Sequence, residues 1–395
     1  MSEWNIIFKP FSELLSNVVD NRGKTCPTAP SGLALIATNC IKNDNLYPVY
    51  ENVRYVSDET YKTWFRGHPL PGDLIFVTKG TPGRVCLVPS KVDFCIAQDM
   101  VAIRADYKKV NQKYLFAALR SAEIQSGIEN LHVGSLIPHF KKGDFDKLQI
   151  PLPERELQEY IGEQYFTFSA KIDLLHRQNK TLEGMAEVLW RKMFVEEADP
   201  GWREISLLEI IDLVGGGTPK TEVSEYWDGA VPWLSAKDIT SNHKCFIVQT
   251  EKDISELGLK NSAAKILPQY ATIISARGTV GNYCILSKPM AFSQSNYGVL
   301  PKIDGCFFFT YLLIAFIVDE LKSAAYGSVF DTITTNTFRE QKIILPSKDI
   351  ILSFEKMINT YFEKIYNNTI QIRTLSRLRD TLLPKLMSGE VRMKI

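Results

Sequence analysis

The sequence predicts an α/β chain of the α+β kind, built in duplicate. Two mixed α/β domains are each followed by a long helix, and the two helices pair antiparallel as a coiled coil about an internal pseudo-twofold repeat. Three observations carry this. Residues 150–193 and 343–386 superpose without a gap at an offset of 193, with Leu157/Ile350, Ile161/Phe354, Phe168/Tyr361, Ile172/Ile365, Leu182/Leu375, Leu189/Leu382 and Met193/Leu386 coincident. Both stretches keep a seven-residue apolar repeat, the mark of a coiled coil. The segments before them repeat more loosely but share strand-turn motifs, and a tandem repeat of this length implies two copies of one architectural unit.

The composition allows two cores: 395 residues, of which 45% are hydrophobic and 23% charged, suit two ordinary domains. The expected division is 1–150 for the first domain, 151–197 for the first helix, 198–345 for the second domain and 346–395 for the second helix and tail. No apolar run approaches the ~20 residues of a membrane span, and Met1 to Trp4 lack a basic region followed by an apolar core, so a cytoplasmic protein is expected. The seven cysteines are scattered without a CxxC pair, which argues against a disulfide framework or a zinc site and for buried thiols. The net charge of +1 gives no global signal for a polyanionic partner, so local patches must carry any such binding.

In chain order, Trp4 matches Trp202. Asp73 to Gly83 ends a β-rich run in Lys79-Gly80-Thr81-Pro82-Gly83, and Ala271 to Gly281 ends in Arg277-Gly278-Thr279-Val280-Gly281. Gln98 matches Gln294, and Gly134-Ser135 matches Gly327-Ser328. Apolar helices, Tyr114 to Ile128 and Phe307 to Leu321, precede the last pair. After Pro151 and Pro153 the first long helix places Leu157, Ile161, Tyr165, Phe168, Ile172, Leu175, Asn179, Leu182, Ala186, Leu189 and Met193 at core positions. Asp199-Pro200-Gly201 is the linker. After Pro346 the second places Ile350, Phe354, Ile358, Tyr361, Ile365, Asn368, Ile372, Leu375, Arg379, Leu382 and Leu386. Only Asn368 and Arg379 break the apolar series in the second helix. In an antiparallel pair Asn179 faces Asn368, and a buried asparagine pair fixes register at some cost in stability. Gly162 and Gly184 each weaken their helix by about 1 kcal/mol relative to alanine, and Gly184 is a place where another helix can approach. Pro384 followed by Ser388-Gly389 reads as a helix stop.

Catalytic signatures are missing from the sequence. Val214 to Thr221 looks like a phosphate loop, but Pro219 stands where a glycine N–H is needed. The five histidines have no metal spacing, no nucleophile elbow occurs, and no glycine fingerprint for a methyl-donor pocket appears. Gly-Thr-x-Gly is better read as a tight turn, where glycine supplies positive φ and lets another backbone come close. Its basic neighbours Lys79, Arg84 and Arg277 can reach a phosphate or a guanine edge, and Gln98, Asn282, Gln294 and Asn296 are of the type that pairs with adenine. His139, Lys141, Lys142 and Lys147, the cationic Lys220 and Lys237, and Arg373, Arg377, Arg379, Lys385, Arg392 and Lys394 complete the local basic patches. Each of these also reads as an ordinary solvated or backbone-satisfying residue.

With these residues in view, the chain resembles the specificity subunit of type I restriction-modification systems over nearly its whole length. The motifs are Gly216-Gly217-Thr218-Pro219 with Tyr226-Trp227, Gly229 and Val231-Pro232-Trp233; the two Gly-Thr-x-Gly turns; and Leu378 to Leu386 with Ser388-Gly389-Glu390. The first half departs from the pattern, since no Gly-Gly-Thr-Pro occurs near Asn21 to Thr25. The resemblance implies a non-catalytic reader of double-stranded DNA whose two target-recognition domains each take one half of a bipartite site. The helices would act as spacer and as docking surface for two methyltransferase subunits, and restriction-translocase subunits would join. It implies S-adenosylmethionine on the methyltransferase and ATP and Mg on the restriction subunit, with no cofactor on this chain. A core of about 36 residues at ~1.5 Å each makes a rod of roughly 54 Å, enough to span half-sites about one DNA turn (~34 Å) apart. The alternatives are the recognition subunit of a type IIB enzyme, a coiled-coil adaptor that binds protein, and a nucleotide-binding enzyme using Gly215 to Thr221.

Overall fold

Short apolar strands separated by glycine, proline and asparagine turns assemble into two compact units, 1–175 with 372–395, and 176–371. The computed structural model describes residues 6–21, 25–131, 138–244, 246–326, 332–387 and 390. Trp4, Arg22 to Lys24, His132, the Gly134-Ser135 and Gly327-Ser328 pair, Cys245, Ser388-Gly389, Arg392 and Lys394 therefore lie outside the described residues. The cut between the units differs from the sequence division, because each unit takes its own globular part together with a portion of each long helix. The cause is packing: Leu157, Ile161 and Tyr165 of the first helix share one apolar cluster with Phe116 and Leu119, and with Leu383 and Leu386 from the end of the second.

Within the first unit an antiparallel sheet runs in the order Leu15–Val19, Met100–Ala105, Leu74–Val77, Val85–Leu87. A second sheet orders Arg54–Val56, Leu33–Ile36 and Phe94–Ile96, the last two strands parallel. A ribbon of Ile7–Pro10 with Gln149–Leu152 leads into the helix. The second unit has the same plan. Ile211–Gly215, Asn296–Pro301, Thr272–Ser275 and Tyr283–Leu286 are extended by Phe246–Ile247. Lys252–Ile254, Trp227–Leu234 and Met290–Phe292, again with one parallel pair, gain Ile266–Leu267, and Arg203–Ser206 pairs with Lys342–Leu345. Strands such as Leu74–Val77 and Tyr283–Leu286 are buried on both faces, which is why they read as continuous apolar runs rather than alternating ones.

The expected single helix from Tyr114 to Ile128 is two helices, Gln112–Arg120 and Ala122–Asn130, broken at Ser121. Ser121 is extended (ψ 146) and its hydroxyl accepts from the Ile124 N–H, so a capping side chain outcompetes continuation. The counterpart in the second unit, Phe307–Tyr326, is continuous.

The long helices are Arg155–Arg191 and Lys348–Met387, and in both units their segments run antiparallel. In the first unit Ile161 and Leu386 line one small crevice with Tyr165 and Arg379; in the second Asn179 meets Asn368, and Trp190 meets Phe354 at 5.7 Å between ring centroids. Leu157, Ile161, Ile172, Leu175, Phe354 and Ile365 are buried, and Asn368 is 1% exposed. Phe168, Asn179, Leu182, Leu189, Ile350, Tyr361, Ile372, Leu375 and Leu382 are only partly buried. At three of these the buried residue is the next one along: Ile351, Phe362 and Leu383. The globular part draws the seam round by one position, as where Phe362 stacks on Phe308 at 4.6 Å.

Two further expectations on the helices are corrected. Pro384 does not end the second helix, which continues to Met387; the bond lost at a proline is offset by burial of Leu383, Leu386 and Met387 in the first unit's core. The close approach is at Gly162 rather than Gly184. A Cβ at Gly162 would lie 2.6 Å from the Tyr114 nitrogen, while Gly184 has open space around it. At the offset of 193 the counterpart of Gly162 is Glu355, whose carboxylate accepts from the Phe308 and Phe309 N–H groups at 3.0 and 2.6 Å. One repeat thus seats the N-terminus of its domain helix against bare backbone, and the other caps it with a carboxylate. Burial pushes the Glu355 carboxyl up to about 7, against the opposing pull of those two N–H groups. The six described cysteines are all buried.

Candidate nucleic-acid interface

The two Gly-Thr-x-Gly turns fold alike because both glycines of each take φ between +79° and +92°, the left-handed region where a side chain is strained. In the first unit Val77 N–H donates to Arg84 O at 2.9 Å, Gly83 N–H to Val77 O at 3.0 Å and Arg84 N–H to Thr81 O at 3.4 Å. In the second, Ser275 N–H donates to Asn282 O at 2.8 Å, Gly281 N–H to Ser275 O at 2.9 Å and Asn282 N–H to Thr279 O at 3.2 Å. The expected close approach of another backbone is not what the glycines serve. Gly80 and Gly278 face open space, and Gly83 and Gly281 abut side chains, Gln125 and Lys322, from the following helices.

Around each turn the fold gathers the same neighbours. Lys79 N–H donates to Asp99 O and Gly80 N–H to Pro138 O, and Lys79 bridges His139. Ala276 N–H donates to Ser295 O, and Ile333 N–H to Ala276 O. Lys79, Arg84, Gln98 and His139 are thereby brought together in the first unit, and Arg277, Asn282 and Gln294 in the second. Gln98 lines a cavity of about 60 Å3 with Thr38, Arg54, Cys26 and Asp99. Gln294 is exposed. Lys79 lies 3.9 Å from Asp99, a loose pairing that leaves most of its charge available.

Other candidates are placed elsewhere or consumed. Asn296 is 1% exposed and its amide donates to Ser293 Oγ at 2.9 Å; it cannot reach a base, because the strand that carries it turns it into the sheet interior. Lys237 pairs with Glu251 at 2.8 Å and Lys147 with Asp144 at 2.8 Å, while Arg379 is buried over the Tyr165 ring. Lys141 and Lys142 are exposed at a short 3-10 turn closed by Asp144. Lys220 is exposed, but the glycine run before it is no phosphate cradle. Gly217 N–H donates to Phe292 O, its carbonyl accepts from Trp233 Nε1, both at 2.9 Å, and its Cα abuts the Ala263-Ala264 backbone. The Gly-Gly-Thr-Pro and Val-Pro-Trp motifs are therefore a packing device, with Trp233 perpendicular to Trp227 at 5.2 Å.

Sequence reading missed Thr240 and Thr279, whose hydroxyl oxygens lie 2.6 Å apart beside Asn282. Thr279 sits within a motif that was noticed; Thr240 had no signal, since only folding brings the Ala236–Ser241 helix to the turn. Among the described residues no group of His, Cys, Asp and Glu side chains could hold a metal ion, and no helix is long and apolar enough to cross a membrane.

The family model described as "Type I restriction modification DNA specificity domain" matches residues 31–184 and again 200–379. The MjaIX type I restriction enzyme specificity subunit of Methanocaldococcus jannaschii is 26% identical over 310 residues, 72% of this chain and 70% of that protein. The HindI specificity subunit of Haemophilus influenzae is 31% identical over 194 residues, 48% of this chain and 42% of that one. The crystal structure of a type I restriction-modification S subunit from M. genitalium aligns over 98% of this chain and 97% of its own, with a TM-score of 0.60 at 17% identity, a likeness of fold.

Proposed function

Because this chain belongs to the type I restriction-modification DNA specificity family, we propose that it is the DNA-reading subunit of such a system, each domain reading one half of a bipartite site. The observation that carries the reading is the repeated turn cluster: in two domains of one plan, a basic residue and a Gly-Thr-x-Gly turn of the same backbone geometry are hydrogen-bonded to the residue that follows a glutamine. Rigid turns that present donors and acceptors on a folded scaffold are what base-edge readout needs. The chain has no catalytic role in this reading. Two methyltransferase subunits carry S-adenosylmethionine and modify adenine, and the restriction subunit supplies ATP- and Mg-dependent motor and nuclease work.

Docking of those subunits falls to the long helices, where Leu174, Met185, Val188, Leu352, Met357 and Leu378 are exposed, Val188 to 67%. Apolar side chains at that exposure on a helix face are what a protein partner covers. The test is long-read mapping of methylated adenine in cells that express the chain with its neighbouring methyltransferase, against the methyltransferase alone. A split motif that depends on this chain is the expected result; unchanged methylation, with both proteins folded and associated, overturns the proposal.

A further inference from the structure

The hydrogen bonds at the second domain's turn have only one direction that satisfies them all. Thr240 Oγ1 donates its single proton to Ala236 O, one helical turn back, at 2.9 Å. Its oxygen is then an acceptor for both remaining neighbours, Thr279 Oγ1 at 2.6 Å and Asn282 Nδ2 at 3.4 Å. A threonine hydroxyl has one proton, so Thr279 spends its own on Thr240 and faces outward with lone pairs only. The same contact orients the Asn282 amide, whose NH2 must point at Thr240, which leaves Oδ1 as an acceptor. The backbone beneath is held: Ser275 Oγ donates to Thr279 O, and Asn282 N–H approaches Ser275 Oγ at 3.2 Å. Thr240 and Thr279 are exposed and Asn282 is half-buried, so the pair of acceptors is accessible on a rigid turn next to Arg277.

We propose that Thr279 and Asn282 are specificity-determining residues that accept a hydrogen bond from an exocyclic amino group of a base in the second half-site. This rests on the DNA-reading assignment above and adds the polarity of the contact. The first domain differs at the equivalent place: Asn282 corresponds to Arg84, whose guanidinium can only donate. At this one position of the repeat the two domains thus carry side chains of opposite hydrogen-bond polarity, while Thr81 and Thr279 are alike.

The experiment is a chemical double-mutant cycle on the complex of this chain with its methyltransferase, using DNA that carries the mapped site. Amino groups of the second half-site are deleted one at a time: purine for adenine, pyrimidin-2-one for cytosine, inosine for guanine. The expected result is one deletion that weakens binding about tenfold, the scale of a lost base-edge contact. Thr279→Val should weaken the intact site equally and be indifferent to that deletion, and Thr279→Ser should restore the response. The arm that responds identifies the base. Losses that add independently would overturn the proposal. So would coupling of Thr279 to removal of a base keto oxygen, because the hydroxyl would then be the donor. If the wild-type complex bound site and scrambled DNA equally, the DNA-reading assignment itself would fail, before any variant is compared. Response to amino deletions in the first half-site, unchanged in Thr279→Val, controls for folding.

Discussion

Replacing Asn179 and Asn368 together by leucine should stabilise the second unit. Asn368 Nδ2 donates to Asn179 Oδ1 at 2.8 Å and to Gln178 Oε1 at 2.9 Å, and Asn179 Nδ2 stands 3.5 Å from Thr369 Oγ1. Two good hydrogen bonds contribute a net of about 1 kcal/mol each. A leucine at position 368, where exposure is 1%, would contribute about 2–3 kcal/mol by burial, and one at half-buried position 179 about half that. The difference is a gain of about 1–2.5 kcal/mol, or roughly 2–10 °C for a unit of nearly 200 residues. Asn368→Leu alone should gain less, since it leaves Asn179 Oδ1 without its donor. Calorimetric melting of the single and double variants gives the coupling between the sites. A double variant no more stable than the weaker single would refute the reasoning, because the amides would then be supplying more than the buried apolar surface that replaces them.

The two helix glycines should respond in opposite directions. Gly162→Ala forces a Cβ to 2.6 Å from the Tyr114 nitrogen and should lower stability by about 1–3 kcal/mol despite the better helix propensity, whereas Gly184→Ala, into open space, should raise it by up to about 1 kcal/mol; chemical denaturation of both variants decides. Glu355 contributes a pH dependence with a definite sign. Its folded pKa of about 7 lies above the unfolded value near 4.5, so the folded state holds the extra proton and stability falls as pH rises from about 4.5 to 7. Glu355→Gln should therefore flatten that part of the stability curve, and its melting temperature relative to wild type should improve between pH 5 and pH 8; an unchanged difference would mean that the carboxylate is not penalised. Arg277→Ala should alter or abolish recognition of the second half-site while leaving assembly with the methyltransferase intact, read by methylation mapping and co-purification. Unaltered modification of that half-site would remove Arg277 from the reader.

Much of the architecture was legible because it is written in period and repeat. A seven-residue apolar period and a constant offset of 193 are properties of the chain itself, and they survive folding because the helix converts spacing directly into faces. Glycine at four turn positions was legible for a similar reason, since only φ at that residue is at stake. Other features depend on choices between neighbours. Ile350 and Ile351, or Tyr361 and Phe362, fit the seam about equally as a pattern, and the domain packed beside them selects the second. Asn282 and Asn296 are chemically identical side chains, yet one faces the turn surface and the other the sheet interior.

The sequence by itself determined that this is a duplicated chain with two long paired helices, two domains of one plan and an asparagine pair in register, because those follow from local spacing. Tertiary structure alone decided that Gly162 seats a helix end while Glu355 caps its counterpart, that Pro384 stays helical, and that Thr240 sets the polarity of Thr279 and Asn282. Each of these joins residues far apart in the chain. The direction of a hydrogen bond or the cost of a side chain is set by which partner the fold brings within 3 Å or so, and one-dimensional spacing carries no record of that partner.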